Sequence, residues 1–237
     1  MKDKNIYDSI RKILGDKPGH LNILQEKIDI DLQMEYFDLS KKIKRSLNSE
    51  LILRHKDDIF NMELSEAIRK KRLAELASID NVVAYRTIES YVNQQPPALR
   101  SWAVLALQES RMLLESKLLD ENQVFISTGL GGKGTGLRYF VVLILKSRKN
   151  FSPLYCKVIK NEFEIFTRKY NAEIEQLNFH THFATLMLII PIAVPVREMI
   201  SEAISECNLY GNFLRTNFIV TNVRELSESE INEYLKK

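Results

Sequence analysis

The stretch LRYFVVLIL, residues 137–145, is dominated by aliphatic and aromatic side chains. Such a run between turn-forming residues is typical of a strand buried in a sheet. Five glycines lie just before it, within residues 129–136, and Ser152-Pro153 follows it. Because Ser is a good N-cap and Pro fits the first turn of a helix, we predict a strand over 137–145 and a helix over 153–170.

The elements that follow continue this alternation. Two strands, a helix and a last strand are predicted at 174–179, 183–190, 195–208 and 214–223. From residue 137 the order is therefore β-α-β-β-α-β, which is the split βαβ pattern of ferredoxin-like folds. We expect an antiparallel sheet with both helices on one face, and an extra edge strand at 123–128.

The first half of the chain has helical periodicity instead. Helices are predicted over 62–77, 81–93 and 97–119. The segment PALRSWAVLAL, residues 97–107, has a Pro, an apolar–Arg pair and small Ala positions, and it resembles the second helix of a HEAT-like repeat. The resemblance covers about residues 62–117 and implies a helical packing or binding surface, without chemistry of its own.

The rest of the helical half is less distinct. Apolar stripes predict helices over 6–14 and 32–47, and whether residues 21–60 include short strands is left open. We expect an α+β protein with a mainly helical domain, a ferredoxin-like domain and a short C-terminal tail, at 1–120, 121–224 and 225–237.

Composition excludes several classes of protein. The 237 residues carry 34 basic and 31 acidic side chains and are 45% apolar, so disorder and a disulfide scaffold are excluded. Cys156 and Cys207 are expected to be reduced thiols in a cytoplasmic protein, and no signal peptide or membrane segment is expected. All ten Asp lie between Asp3 and Asp120. Because Asp carboxylates typically hold the Mg²⁺ of phosphoryl-transfer enzymes, we do not expect such a site in the second half.

The glycine-rich stretch STGLGGKGTG, residues 127–136, is the most unusual in the chain. Glycine-rich backbone can approach a phosphate closely and present N–H donors. Gly134 stands where a P-loop needs Ser or Thr, and a strand rather than a helix follows, so neither a P-loop nor a dinucleotide fingerprint fits. The alternatives are a mobile hairpin connection or a ligand- or partner-binding loop formed by Gly129, Gly131, Gly132, Lys133, Gly134, Gly136 and Arg138.

A run of basic residues accompanies this loop: Lys133, Arg138, Lys146, Arg148 and Lys149, with no acidic residue between positions 122 and 161. The run fits a phosphate- or RNA-facing patch, but a solvated edge that discourages aggregation is the favoured interpretation. The cluster Lys41, Lys42, Lys44 and Arg45 is interpreted as a solvated helix end.

His180-Thr181-His182 is the one closely spaced histidine pair. Alternate residues of a strand point the same way and could chelate a metal. No Asp lies nearby in the sequence, so we expect a hairpin tip without metal, and no cofactor.

Three hypotheses about function follow. The favoured one is a non-enzymatic interaction or regulatory protein that grips a protein partner or a small anionic ligand through the glycine loop. The alternative is a nucleic-acid or ribonucleoprotein binder that uses the basic strand ends. The third, an enzyme that holds a phosphorylated substrate at the loop with His180 or His182 as acid–base, is less favoured, and no catalytic residue is assigned.

Overall fold

The computed structural model describes residues 21–94, 98–119, 123–147 and 150–236. Internal contacts divide this part of the chain into two compact units. Residues 21–22 and 28–125 form the helical unit, and residues 23–27 and 126–236 form the sheet unit. The domain boundaries at 120 and 224 stay predictions, and the helix predicted over 6–14 lies outside the described residues.

The helical unit contains five α-helices and one 3₁₀ turn among its described residues. They are α1 (Ile30–Ile43), α2 (Ser49–Arg54), the 3₁₀ turn (Lys56–Phe60), α3 (Glu66–Ala77), α4 (Val82–Val92) and α5 (Arg100–Leu119). Most of these helices have a polar side chain as N-cap. The Asp29 carboxylate, for example, accepts from the backbone N–H groups of Asp31 and Leu32. Within residues 21–60, where the sequence left short strands open, residues 30–43 are therefore helical.

The core of the helical unit lies where α1, α3, α4 and α5 meet. Tyr36, Leu73, Ile88, Trp102 and Leu105 are almost completely buried there. The helical character of this region is thus as expected, while its resemblance to a HEAT-like repeat stays a prediction. β1 (Leu21–Ile23) and β2 (Val124–Ile126) form a short two-stranded sheet.

The sheet unit follows the expected element order. Its elements are β3 (Gly132–Lys133), β4 (Gly136–Ile144), α6 (Pro153–Lys169), β5 (Glu173–Phe179), β6 (Phe183–Pro191), α7 (Val196–Leu209), β7 (Ile219–Thr221) and α8 (Glu228–Lys236). The strands lie in the order β5-β6-β4-β7, with β3 also on β4, and every pairing is antiparallel. The α+β fold with a ferredoxin-like antiparallel sheet is confirmed.

Both faces of the two central strands are covered. On one face, Val141 and Leu186 pack with side chains of α6 and α7, such as Phe163 and Ile200. On the other, Phe140, Val142, Ile144, Phe183 and Met187 pack with Ile231 of α8. This double burial explains why residues 137–145 form a nearly continuous apolar run.

No helix within the described ranges is long and apolar enough to cross a membrane.

Trp102→Ala should lower the free energy of unfolding by about 3–5 kcal/mol, because it leaves a cavity in a closed core. Trp102 is 1% exposed, and its indole N–H donates to the Lys70 carbonyl at 2.9 Å. Leu118→Ala, on the same helix at 82% exposure, is the control and should change stability by less than about 0.5 kcal/mol. Urea titrations followed by circular dichroism measure both, and equal losses would contradict the burial.

Candidate functional site

The glycine loop, residues 129–136, is packed closely against its own unit. Gly131 has φ +66°, and a Cβ there would lie 2.4 Å from the carbonyl oxygen of Glu26. A Cβ on Gly132 would lie 2.3 Å from the carbonyl oxygen of Gly136. Glycine is thus required at these positions because backbone passes too close for any side chain.

Backbone N–H groups of the loop are already bonded inside the protein. Leu130 N donates to the Asn222 carbonyl at 3.1 Å, Gly131 N donates to the Thr128 carbonyl at 3.1 Å, and Gly134 N donates to the Gln25 side chain at 2.8 Å. Residues 129–132 are buried, and exposure begins at Lys133. The sequence analysis considered that these N–H groups could bind an anion. In the structure they are bonded within the protein instead.

The two cations of the loop region are also neutralised. Lys133 Nζ lies 2.7 Å from Glu173, and Arg138 donates to both oxygens of Glu175, at 2.6 and 3.0 Å. The bond from Arg138 lowers the pKa of the Glu175 carboxyl, although partial burial opposes it. Binding of an anion here would have to displace these carboxylates, which makes the glycine end of β4 a poor anion site.

The opposite end of β4 brings three separate segments together. Leu145 N donates to the His182 carbonyl, Lys146 N to the Phe213 carbonyl and Arg215 N to the Ile144 carbonyl, at 3.0, 2.9 and 2.8 Å. We name the described residues of these segments, 145–147, 150–152, 179–182 and 210–217, the basic end. Arg148 and Lys149, which belong to the predicted basic patch, lie outside the described residues.

Positive charge at the basic end is not balanced as it is at the glycine end. The segments 145–152, 179–182 and 210–217 contain no Asp or Glu. Lys146 is exposed and its ammonium group donates to the uncharged Asn212 amide oxygen. Among the described residues, no carboxylate forms an ion pair with the Arg215 guanidinium. Both cations are therefore available to a phosphate.

Exposed aromatic side chains belong, like these cations, to the segments of the basic end. Tyr210 is 58% exposed and Phe179 37% exposed, with Phe151 packed edge-on to Phe179 at 5.4 Å between ring centroids. Under the turn, Tyr155 and Phe213 stack in parallel, 4.0 Å apart. Cations next to exposed rings are the combination that contacts unpaired nucleotides.

The histidine pair lies in the turn between β5 and β6, outside both strands. His180 stacks on Phe183, and its Nδ1 lies 2.8 Å from Glu228. His182 Nδ1 is buried and finds no partner among the described residues. No group of three His, Cys, Asp or Glu side chains within those residues is close enough together to hold a metal ion.

The glycine loop and the histidines lie at opposite ends of the β4–β6 ladder. Gly136 pairs with Pro191 at one end, and Ile144 pairs with Phe183 at the other. The hypothesis of one enzymatic site that combines the loop with His180 or His182 is therefore wrong. The thiols offer little chemistry either, since burial raises the pKa of Cys207 to about 12.

Sequence reasoning included Lys146 in a basic patch but missed Arg215, Tyr210 and Phe179. These residues are about 30 or more positions away in sequence, and backbone hydrogen bonds at the end of β4 bring their segments together. The available signal was the shared lack of acidic residues in three segments that each end or begin a strand of the ferredoxin-like pattern.

Comparison with known proteins finds no matching family model and no matching curated protein. Among solved structures, one described as a "putative transposase from deinococcus radiodurans r1" is similar over 44% of this chain and 92% of that protein, at 14% identity and a TM-score of 0.38. A REP-associated tyrosine transposase bound to a REP hairpin is similar over 44% of this chain and 62% of that protein, at 12% identity and a TM-score of 0.34.

The interpretation of the chain as a non-enzymatic interaction or regulatory protein is corrected by these findings. No family model or curated protein supports the expected protein partner. The structure gives the physical reason: the loop that was to grip the partner has its donors and cations already bonded within the protein.

A comparison of Gly131→Ala with Gly134→Ala distinguishes the cost of a steric clash from the cost of a positive φ. Both glycines have positive φ, but a Cβ on Gly134 meets nothing within 4 Å. We expect Gly134→Ala to cost about 1–2 kcal/mol of stability, and Gly131→Ala to cost about 1–3 kcal/mol more. Thermal unfolding of the two variants measures the difference, and equal melting temperatures would show that the contact with Glu26 is not tight.

Glu175→Gln should lower stability at pH 7 by about 1 kcal/mol, because it removes the charged partner of Arg138. The folded-state pKa of Glu175 lies below its usual 4.5. Its contribution is therefore present above pH 4.5 and disappears as the pH falls through the folded-state pKa. Urea titrations should therefore show a smaller difference between variant and wild type at pH 3 than at pH 7. Glu173→Gln removes the carboxylate of a more exposed pair and is the control with the weaker expected effect.

Proposed function

We propose that this protein binds nucleic acid at the basic end of its sheet. Lys146 and Arg215 contact backbone phosphates, and Tyr210 and Phe179 stack against unpaired bases. The observation that supports this most strongly is the difference between the two ends of β4: Lys133 and Arg138 at the glycine end have carboxylate partners, whereas Lys146 and Arg215 at the basic end have none among the described residues.

The energetic reason is the cost of freeing each cation. A phosphate that approached Arg138 would have to replace a two-fold bond to Glu175, which is itself strong. A phosphate that approaches Lys146 replaces only a bond to a neutral amide. Net affinity then comes from counterions released from the nucleic acid, so binding must weaken as salt is added.

The exposed rings favour a target with unpaired nucleotides. Bases that are already paired and stacked in a duplex cannot lie against a protein ring, whereas bases of a single strand or a hairpin loop can. One of the similar solved structures is a transposase with a bound REP hairpin, so a hairpin is a suitable probe beside a single strand. The expectation of a cytoplasmic location stays a prediction.

Fluorescence anisotropy with a labelled single-stranded 20-mer and a labelled hairpin tests the proposal. Lys146→Ala and Arg215→Ala should each weaken binding and reduce the steepness of log affinity against log salt by about 0.7. Tyr210→Ala should cost about 1–3 kcal/mol of binding free energy on the single strand, and less on a blunt duplex.

Lys133→Ala is the matched control, since Lys133 is an exposed lysine beside the other end of the same strand and is paired with Glu173. Its affinity should equal that of the wild type. Equal losses for Lys133→Ala and Lys146→Ala would indicate unspecific attraction to a basic protein, and an unchanged Lys146→Ala, Arg215→Ala double variant would refute the assigned surface.

A further inference from the structure

A second candidate site lies in the helical unit, independent of the basic end. A cavity of about 470 Å³ is lined by α1, by α5 and by residues around β2. Leu105, Met112 and Leu113 supply apolar walls, and the rings of Phe37 and Phe125 lie 6.0 Å apart at the side. The volume and the aromatic lining suit a flat heteroaromatic ring.

A carboxylate lies inside this apolar lining. Glu109 is 12% exposed and accepts from Tyr36 Oη at 2.5 Å, from Ser40 Oγ at 2.6 Å and from Lys44 Nζ at 2.5 Å. A carboxylate has about four acceptor positions, so three donors leave one for a ligand. Burial raises the pKa of the Tyr36 hydroxyl, and the neighbouring Glu109 carboxylate raises it further. Tyr36 therefore stays protonated and donates to Glu109.

An amide supplies the complementary donor. Gln123 Oε1 accepts from Asn22 Nδ2 at 3.0 Å, which fixes the amide and leaves its NH₂ group as a donor at the cavity wall. The cavity therefore offers both an acceptor and a donor between apolar walls. The edge of a nucleobase carries the same mixture of donors and acceptors.

Basic residues at the end of α1 contribute to the lining of the cavity. Lys41 and Lys44 line the cavity, and Lys42 and Arg45 follow on the same helix end. Lys41 has no carboxylate partner among the described residues, so its charge can be given to a ligand. The sequence alone left this cluster as a solvated helix end; the cavity beneath it provides a second interpretation.

We propose that this cavity binds a nucleoside monophosphate. The base lies between the apolar walls, its exocyclic amine donates to Glu109, and the phosphate contacts Lys41, because Lys44 is already paired with Glu109. An acyl anion would satisfy the lysines but would place methylene groups against the Glu109 carboxylate, which disfavours it.

Isothermal titration calorimetry with AMP tests the proposal on the full chain. We expect saturable binding with a Kd below about 1 mM, and adenosine should bind more weakly because it lacks the phosphate. Lys41→Ala should weaken AMP binding about tenfold, and Phe37→Ala should weaken AMP and adenosine alike, while circular dichroism confirms that both variants fold.

Lys42→Ala is the control, because Lys42 neighbours Lys41 but does not line the cavity. Absence of saturable AMP binding, or equal effects of Lys41→Ala and Lys42→Ala, would overturn the proposal. Binding of dodecanoate without binding of AMP would overturn it in favour of an acyl anion. Oligonucleotide binding by the basic end should be unchanged in Lys41→Ala, so the two proposals fail separately.

Discussion

The antiparallel ladder between β4 and β6 determines the arrangement of the sheet unit. It pairs nine residues of each strand, from Gly136 with Pro191 to Ile144 with Phe183. Both strands are buried on both faces, so a shift of register by one residue would exchange every side chain between two different cores. At about 3.4 Å per residue, the ladder holds its two ends roughly 27 Å apart.

This separation gives the two ends different chemistry. At the glycine end, the chain packs back on residues 23–27, and Lys133 and Arg138 are paired with Glu173 and Glu175. At the basic end, three segments without acidic residues meet beside exposed rings. Among the described residues, charge pairing at the glycine end and its absence at Lys146 and Arg215 are the reasons for proposing the less conspicuous end as the binding surface.

The sequence predicts those parts of the fold that depend on local pattern. The apolar run 137–145 and the helix start at Ser152-Pro153 both form as expected, because propensity and burial agree there. The last strand is shorter than the predicted 214–223: Leu214 makes an isolated bridge to Leu145, and β7 is confined to Ile219–Thr221.

The site could not be predicted in the same way, because its interactions join distant residues. Gly131 packs against the backbone of Glu26, about a hundred residues away in sequence. The sequence alone could not show this contact, so glycines that packing requires were interpreted as a binding loop. The ion pair of Lys133 spans 40 residues, and Lys146 meets Asn212 across 66. The sequence has no acidic residue between positions 122 and 161. Only the folded structure shows that Lys133 and Arg138 pair with Glu173 and Glu175.

Photocrosslinking with a bromouridine-substituted single strand, followed by mass spectrometry of the crosslinked peptides, tests the central claim most directly. Bases that stack on exposed rings should crosslink to peptides that contain Phe179 or Tyr210, and excess unlabelled strand should suppress the crosslinks. Crosslinks confined to residues 129–138, or the same yield from every exposed aromatic residue, would contradict binding at the basic end.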